Sequence, residues 1–171
     1  MIAIIITLYL KGNSQEEAPI SEDKPGKPKL SKEYTLSINR SIFEGINNDS
    51  LPYKISAENV VKNSKNKYVL NAIKGTYTLI DGDISLKAIN GTIDELNQLV
   101  ILNNNAQIEY NGIIFNSDKI KLYLDSKNIE SDTPVDVNFE NSNIKADSFK
   151  AKNSGKDIMF EGNVESEFDL D

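Results

Sequence analysis

The chain has 171 residues, enough for one domain with a real hydrophobic core, and contains no His, Cys or Trp. Those absences remove disulfides, most metal-ligand sets and every mechanism that needs a His base or a Cys nucleophile. A formal charge of −7 argues against nucleic acid or an anionic membrane surface as a partner reached by long-range attraction.

Residues 1–10 are apolar apart from Thr7 and Tyr9. As a helix they would cover about 15 Å, half of the roughly 30 Å hydrocarbon layer. No basic residue precedes them and no small-x-small site follows, so they do not read as a signal peptide. Two readings remain: a hydrophobic N-terminus packed on the domain, or a truncated membrane anchor whose first half lies upstream of Met1. Residues 11–33, with Pro19, Pro25 and Pro28 among charged and small residues, read as a flexible linker unable to bury enough surface to order itself. The folded domain is then 34–171.

From Tyr34 onward apolar and polar residues alternate between turn signals, and no window shows a helical period. Asp81-Gly82-Asp83 and Asn111-Gly112 predict tight hairpins. Further turns are expected at Asn103-Asn104-Asn105, Asp125 to Asn128, Glu140 to Asn143 and Asn153 to Lys156. Eleven to thirteen short strands follow, hence an all-β fold. Serial neighbouring strands favour an elongated, twisted β-jelly roll of antiparallel strands over a closed barrel.

A short unit recurs within these strands: apolar, spacer, small, acid, spacer, apolar. It reads Ile55-Ser56-Ala57-Glu58-Asn59-Val60, Phe115-Asn116-Ser117-Asp118-Lys119-Ile120 and Ile144-Lys145-Ala146-Asp147-Ser148-Phe149, with a weaker copy from Leu86-Lys87-Ala88-Ile89. The copies suggest a repeat of roughly 30 residues. Strict alternation places Ile55, Ala57, Leu70, Ala72, Ile84, Leu86, Ala88, Phe115, Ser117, Leu122, Leu124, Val135, Val137, Phe139, Ile144 and Ala146 on one inner face, with the acids outside. The small residues of that face either permit tight sheet packing or leave a slot for acyl chains, each buried methylene contributing about 0.8 kcal/mol. Lys62, Lys65, Lys67 and Lys74 read as scattered surface charge. With no residue set that nominates a reaction, the chain reads as one that holds or passes on a ligand rather than as an enzyme, and no cofactor or metal is expected.

The succession Leu51-Pro52-Tyr53-Lys54-Ile55-Ser56-Ala57-Glu58, Gly75-Thr76-Tyr77, Ala88-Ile89-Asn90-Gly91, Gly112 with Ser117-Asp118, Ser131-Asp132-Thr133-Pro134-Val135 and Phe160-Glu161-Gly162-Asn163-Val164 resembles the LptC family. No single motif is specific; their order and spacing over residues 34–170 carry the likeness. The resemblance implies a single-pass protein of the cell inner membrane with its jelly roll facing the periplasm. It implies that lipopolysaccharide is received from an ABC transporter, the subunits LptF and LptG with the ATPase LptB, and passed to the periplasmic bridge protein LptA. Acyl chains would lie against Ile55, Ala57, Leu70, Ala72, Ile84, Leu86, Ala88, Phe115, Leu122, Leu124, Val137, Phe139, Ile144 and Ala146. The edge from Ile158 to Leu170, with Ile158, Phe160, Gly162, Val164 and Phe168, would dock the bridge protein. A structural β-solenoid, or an envelope interaction module without lipid cargo, is the alternative reading of the same pattern.

Overall fold

The computed structural model describes residues 37–47 and 49–168. The expected anchor at 1–10, the linker at 11–33 and the end of the docking segment at 169 and 170 lie outside these residues. Twelve strands follow one another: β1 (Ser37–Ile46), β2 (Pro52–Ser64), β3 (Lys67–Leu79), β4 (Gly82–Asp94), β5 (Leu99–Tyr110), β6 (Ile113–Tyr123), β7 (Asn128–Ser131), β8 (Val135–Phe139), β9 (Ser142–Ala146), β10 (Ser148–Lys152), β11 (Asp157–Glu161) and β12 (Glu165–Glu167). All pairings are antiparallel, and β1 to β6 form an uninterrupted meander.

The strand count agrees with the alternation in the sequence, but β1 to β6 are not short. A 13-residue strand such as β2, β3 or β4 reaches roughly 40 Å at about 3.3 Å per residue, too far to stay in one layer of a small domain. Each long strand therefore bends near its middle and contributes to two layers, with a shift of register at the bend where β4 meets β5 and β5 meets β6. In β2, Ile55 and Ala57 point inward, Glu58 and Asn59 both point out, and Val60 points inward again. The same inward positions one, three and six occur at Leu86, Ala88 and Gly91 in β4, at Phe115, Ser117 and Ile120 in β6, and at Ile144, Ala146 and Phe149 across β9 and β10. The recurring unit is thus the sequence form of the bend: two successive outward residues reset the alternation, so that both halves of a strand face the interior.

In the strands that run the other way, the bend is made by residues of positive φ. Arg40 in β1, Ala72 in β3 and Asn104 in β5, the last followed by Asn105, fall at positions 40, 72 and 104, so 32 residues apart. Lined up across the sheet, these bends form a spine that divides the molecule into two leaves. The first leaf holds 41–46 of β1, the segments 52–57, 73–79, 82–88, 106–110 and 113–117, then β8, β9 and β12. The second holds 60–64, 67–70, 91–94, 99–102 and 120–123, then β7, β10 and β11. At β6 the sheet forks, because 121–123 pair with β7 and 114–117 pair with β8.

The leaves close on each other with their apolar faces inside, as in a jelly roll. Phe115 of the first leaf stacks on Phe149 of the second, ring centroids 5.2 Å apart, and Phe43 meets Tyr68 edge-on at the same distance. Closeness at the spine explains the glycine in the β4 copy of the unit. A Cβ on Gly91 would sit 2.3 Å from the Ile101 carbonyl oxygen and 2.6 Å from the Ile73 side chain, so no larger residue fits there.

Two turn expectations need correction. Asn103-Asn104-Asn105 is not a turn: β5 runs through it, with Asn104 and Asn105 at φ 59 and 55 forming the bulge. At Asp81-Gly82-Asp83 the hairpin closes one residue earlier, on Ile80-Asp81, with Leu79 paired to Gly82. The Asn111-Gly112 turn is as expected, with φ of 49 and 79 joining β5 and β6 as a two-residue hairpin loop.

Candidate functional site: the interior between the leaves and its edges

The interior is predominantly apolar. Of the side chains expected on the inner face, Ile55, Ala57, Leu70, Ile84, Leu86, Ala88, Phe115, Leu122, Leu124, Val137 and Ala146 are buried in one continuous cluster, and Phe139 and Ile144 are half-buried against it. Ala72 does not share this face with Leu70. It is the left-handed residue at the bend of β3, half-buried, and Ile73 takes the inward place instead. Sequence reasoning also left out Val60, Ile120 and Phe149, which fill the second leaf. Each occupies the sixth position of the recurring unit, and that repetition was the available signal. Strict period-2 counting turns them outward.

Among the described residues, packing leaves a partly enclosed cavity of about 110 Å³ between the leaves. Ile84, Ile108 and Phe115 of the first leaf and Ile129, Phe149 and Ala151 of the second line it, and Ile158 on β11 borders it. A methylene is about the size of a water molecule, whose share of liquid volume is about 30 Å³, so this space admits only a few methylenes in the closed form. Two wider concavities, about 700 and 660 Å³, lie on the outer face along the spine. Both are open to solvent: the first mixes Arg40, Glu58, Lys74 and Lys87 with Ile42, Ala72, Ile73 and Ile89, and the second mixes Asp118, Asp136 and Lys145 with Ala106, Val135 and Ala146, so neither encloses a lipid tail on all sides. Among the described residues no group of acids is arranged to hold a metal ion.

Among the described residues Ser41, whose Oγ has no hydrogen-bond partner, and Asp94, paired with Lys67, are buried singly, and the remaining buried polar groups gather in two places. The first is a hydroxyl knot at the fork of β6. Ser117 Oγ lies 2.9 Å from Ser131 Oγ and 2.8 Å from Thr133 Oγ1, and donates to the Pro134 carbonyl at 2.8 Å. The Lys119 backbone N–H donates to Thr133 Oγ1 at 3.2 Å. This gives Ser131-Asp132-Thr133-Pro134 a structural cause: it ties the crossing from β7 in one leaf to β8 in the other onto the small residue of the β6 unit.

The second place is the mouth, the side opposite the spine, where hairpin turns of the two leaves meet. Tyr77 is buried on the first leaf, accepts a hydrogen bond from Asn47 Nδ2 at 2.8 Å, and donates its own to the Leu124 carbonyl of the second at 2.9 Å. Burial, chiefly, pushes the Tyr77 hydroxyl up to about 12, so it stays protonated and able to donate. Asn47 is itself fixed, its Oδ1 accepting from the backbone N–H groups of Asp49 and Leu51 at 3.0 and 2.8 Å. Asp49 is ion-paired with Lys127 of the second leaf, and Asp81 lies 4.0 Å from Lys156. Ile80 and Leu96, at turn tips of opposite leaves, are 83% and 75% exposed.

Among the described residues, both ends of the sheet are unpaired. At one, β1 exposes Ile42 and Ile46. At the other, the first leaf ends in β12 and the second in β11. Of the expected docking residues, Ile158 and Phe160 lie on β11, Gly162 at φ 74 and Val164 in the bend before β12, and Phe168 just past it, 6.2 Å from the Phe139 ring. Lys62, Lys65 and Lys67 gather at the β2–β3 turn, where Lys67 pairs with Asp94, whereas Lys74 belongs to the other leaf. Among the described residues no helix is long and apolar enough to cross a membrane.

A family model described as "Lipopolysaccharide-assembly, LptC-related" matches residues 1–169. A protein of Rickettsia prowazekii, "Uncharacterized protein RP506", is 33% identical over 138 residues, 80% of this chain and 69% of that protein. With the match running through every bent strand and both sheet edges, scattered motifs become membership: the chain belongs to the LptC family and has its role in lipopolysaccharide transport.

Proposed function

We propose that the chain carries lipopolysaccharide by its acyl chains, between the two leaves, from the inner-membrane transporter to a periplasmic bridge protein. On this reading LptF, LptG and the ATPase LptB deliver the lipid at the β1 end, and an LptA-type protein takes it at β11 and β12. Residues 1–10 would belong to the membrane anchor and 11–33 to the tether that holds the domain in the periplasm. The observation that carries the reading is the partly enclosed apolar cavity, lined by both leaves and bordered by Ile158 of the edge strand β11. It joins the lipid-compatible interior to the unpaired edge. Apolar burial suffices to hold a tail at about 0.8 kcal/mol per methylene, so the acidic balance of the chain is no obstacle.

Photo-crosslinking tests it. Crosslinkers at Leu86, Phe115 and Ile144 are expected to label lipopolysaccharide, while those at Lys87, Asn116 and Lys145, on the outer face, stay unlabelled. Equal labelling of the two sets would sink the interior as the lipid site.

A further inference from the structure

The cavity is too small for a lipid tail, so carriage between the leaves requires them to separate. What resists separation is unevenly distributed. Across most of the interior the leaves touch through apolar side chains, and such contacts are non-directional and can re-form around a tail. Among the described residues, directional bonds between opposite lips of the mouth are few: Tyr77 to the Leu124 carbonyl, Asp49 to Lys127, and the looser pair of Asp81 and Lys156. The first is buried and anchored by Asn47. The last is exposed at both ends and held at 4.0 Å, a geometry that contributes little. The spine opposite is the line along which the strands already bend, with the ladder interrupted by register shifts between β4 and β5 and between β5 and β6.

We infer that Tyr77, with Asn47 and the Leu124 carbonyl, is the latch of a clasp across the mouth, which must part before an acyl chain enters, the bent spine acting as the hinge. The inference rests on the reading that the interior takes lipid tails and adds the residues that govern access to it. When the latch opens, the Tyr77 hydroxyl, the Asn47 amide and the Leu124 carbonyl exchange each other for water, so the open state is reached without stranding a buried polar group. In Tyr77→Phe the closed state keeps Asn47 Nδ2 and the Leu124 carbonyl without this partner, and the balance moves toward opening.

Two measurements test it, and the absence of native Cys makes both clean. In the first, nitroxide labels on Ile80→Cys and Leu96→Cys, one on each lip, report the lip-to-lip distance without lipid. Tyr77→Phe is expected to broaden the distribution toward longer distances. A distribution identical to that of the parent would overturn the latch, whatever the interior binds. In the second, Asp49→Cys is bridged to Lys127→Cys, and Asp81→Cys to Lys156→Cys, by a cleavable bis-maleimide, and uptake of fluorescent lipid A is followed. Bridged protein is expected to load at least tenfold more slowly, with recovery on cleavage, and Tyr77→Phe to load several-fold faster than the parent. Equal loading before and after cleavage overturns the clasp. If cleaved and parent proteins both fail to take up lipid A, the cargo reading fails and access control falls with it, while the distance measurement still decides whether the latch exists.

Discussion

At the scale of single residues, the bend line places unusual demands on a few side chains. Ala72 sits at φ 52, a region in which a Cβ meets its own backbone at a cost of roughly 1–2 kcal/mol. Glycine would relieve this, so Ala72→Gly is expected to stabilise the fold by about 1 kcal/mol, read as a higher urea midpoint at unchanged slope. A lower midpoint would mean that the methyl group packs usefully at the bend. Ala72 also shows where sequence reading stops. Alternation alone pairs it with Leu70 on the inner face, because a bend that resets the alternation leaves composition untouched. The same ambiguity affects Asn103-Asn104-Asn105: asparagine favours positive φ in a turn and in a bulge alike, and only the pairing of β5 with its neighbours distinguishes them. Tyr77 gave no local signal at all, since its partners lie 30 and 47 positions away.

At the scale of elements, the fork of β6 depends on three hydroxyl groups whose hydrogen bonds are shared. Thr133→Val keeps the shape, removes the acceptor for the Lys119 N–H, and takes one partner from each of two serines. A loss of about 1–3 kcal/mol is expected, with the strands on either side of the fork, β7 and β8, losing protection from hydrogen exchange before β2 to β4. Uniform loss across the sheet would show the knot to be an ordinary turn. Much of this level was legible: the number of strands, their antiparallel order and the Asn111-Gly112 hairpin follow from alternation and turn chemistry, which are local. The division into two leaves was not, because it arises from bends that line up across many strands.

At the scale of the whole molecule, charge is as unevenly spread as polarity. Residues 157–171 carry Asp157, Glu161, Glu165, Glu167, Asp169 and Asp171 with no Lys or Arg, so six of the seven net negative charges lie in the last fifteen residues. Over β1, Arg40 and Glu44 cancel. Two copies meeting through their β11–β12 ends would repel, whereas a partner edge rich in Lys and Arg would be steered in. Association at this end is therefore expected to weaken between 50 mM and 500 mM salt, and Glu165→Gln with Glu167→Gln to remove most of that dependence, measured as the Kd for an LptA-type partner. Lipid held by apolar burial should survive the same salt, so the two functions separate in one titration. Salt-insensitive association would assign the edge contact to backbone pairing and to Val164 and Phe168 alone.

The fork of β6 has a mechanical consequence as well. Up to that point every rib is one continuous strand, so splaying the leaves means bending covalent backbone that hydrogen-bonds along both layers. Beyond it, each layer has strands of its own, joined across the spine only by short links such as Asp132 to Pro134 and Asp147. Stiffness against splaying thus falls along the molecule from β1 toward β11 and β12. A guest between the leaves would meet a gradient of confinement, relaxed at one end, that the order of the strands alone imposes.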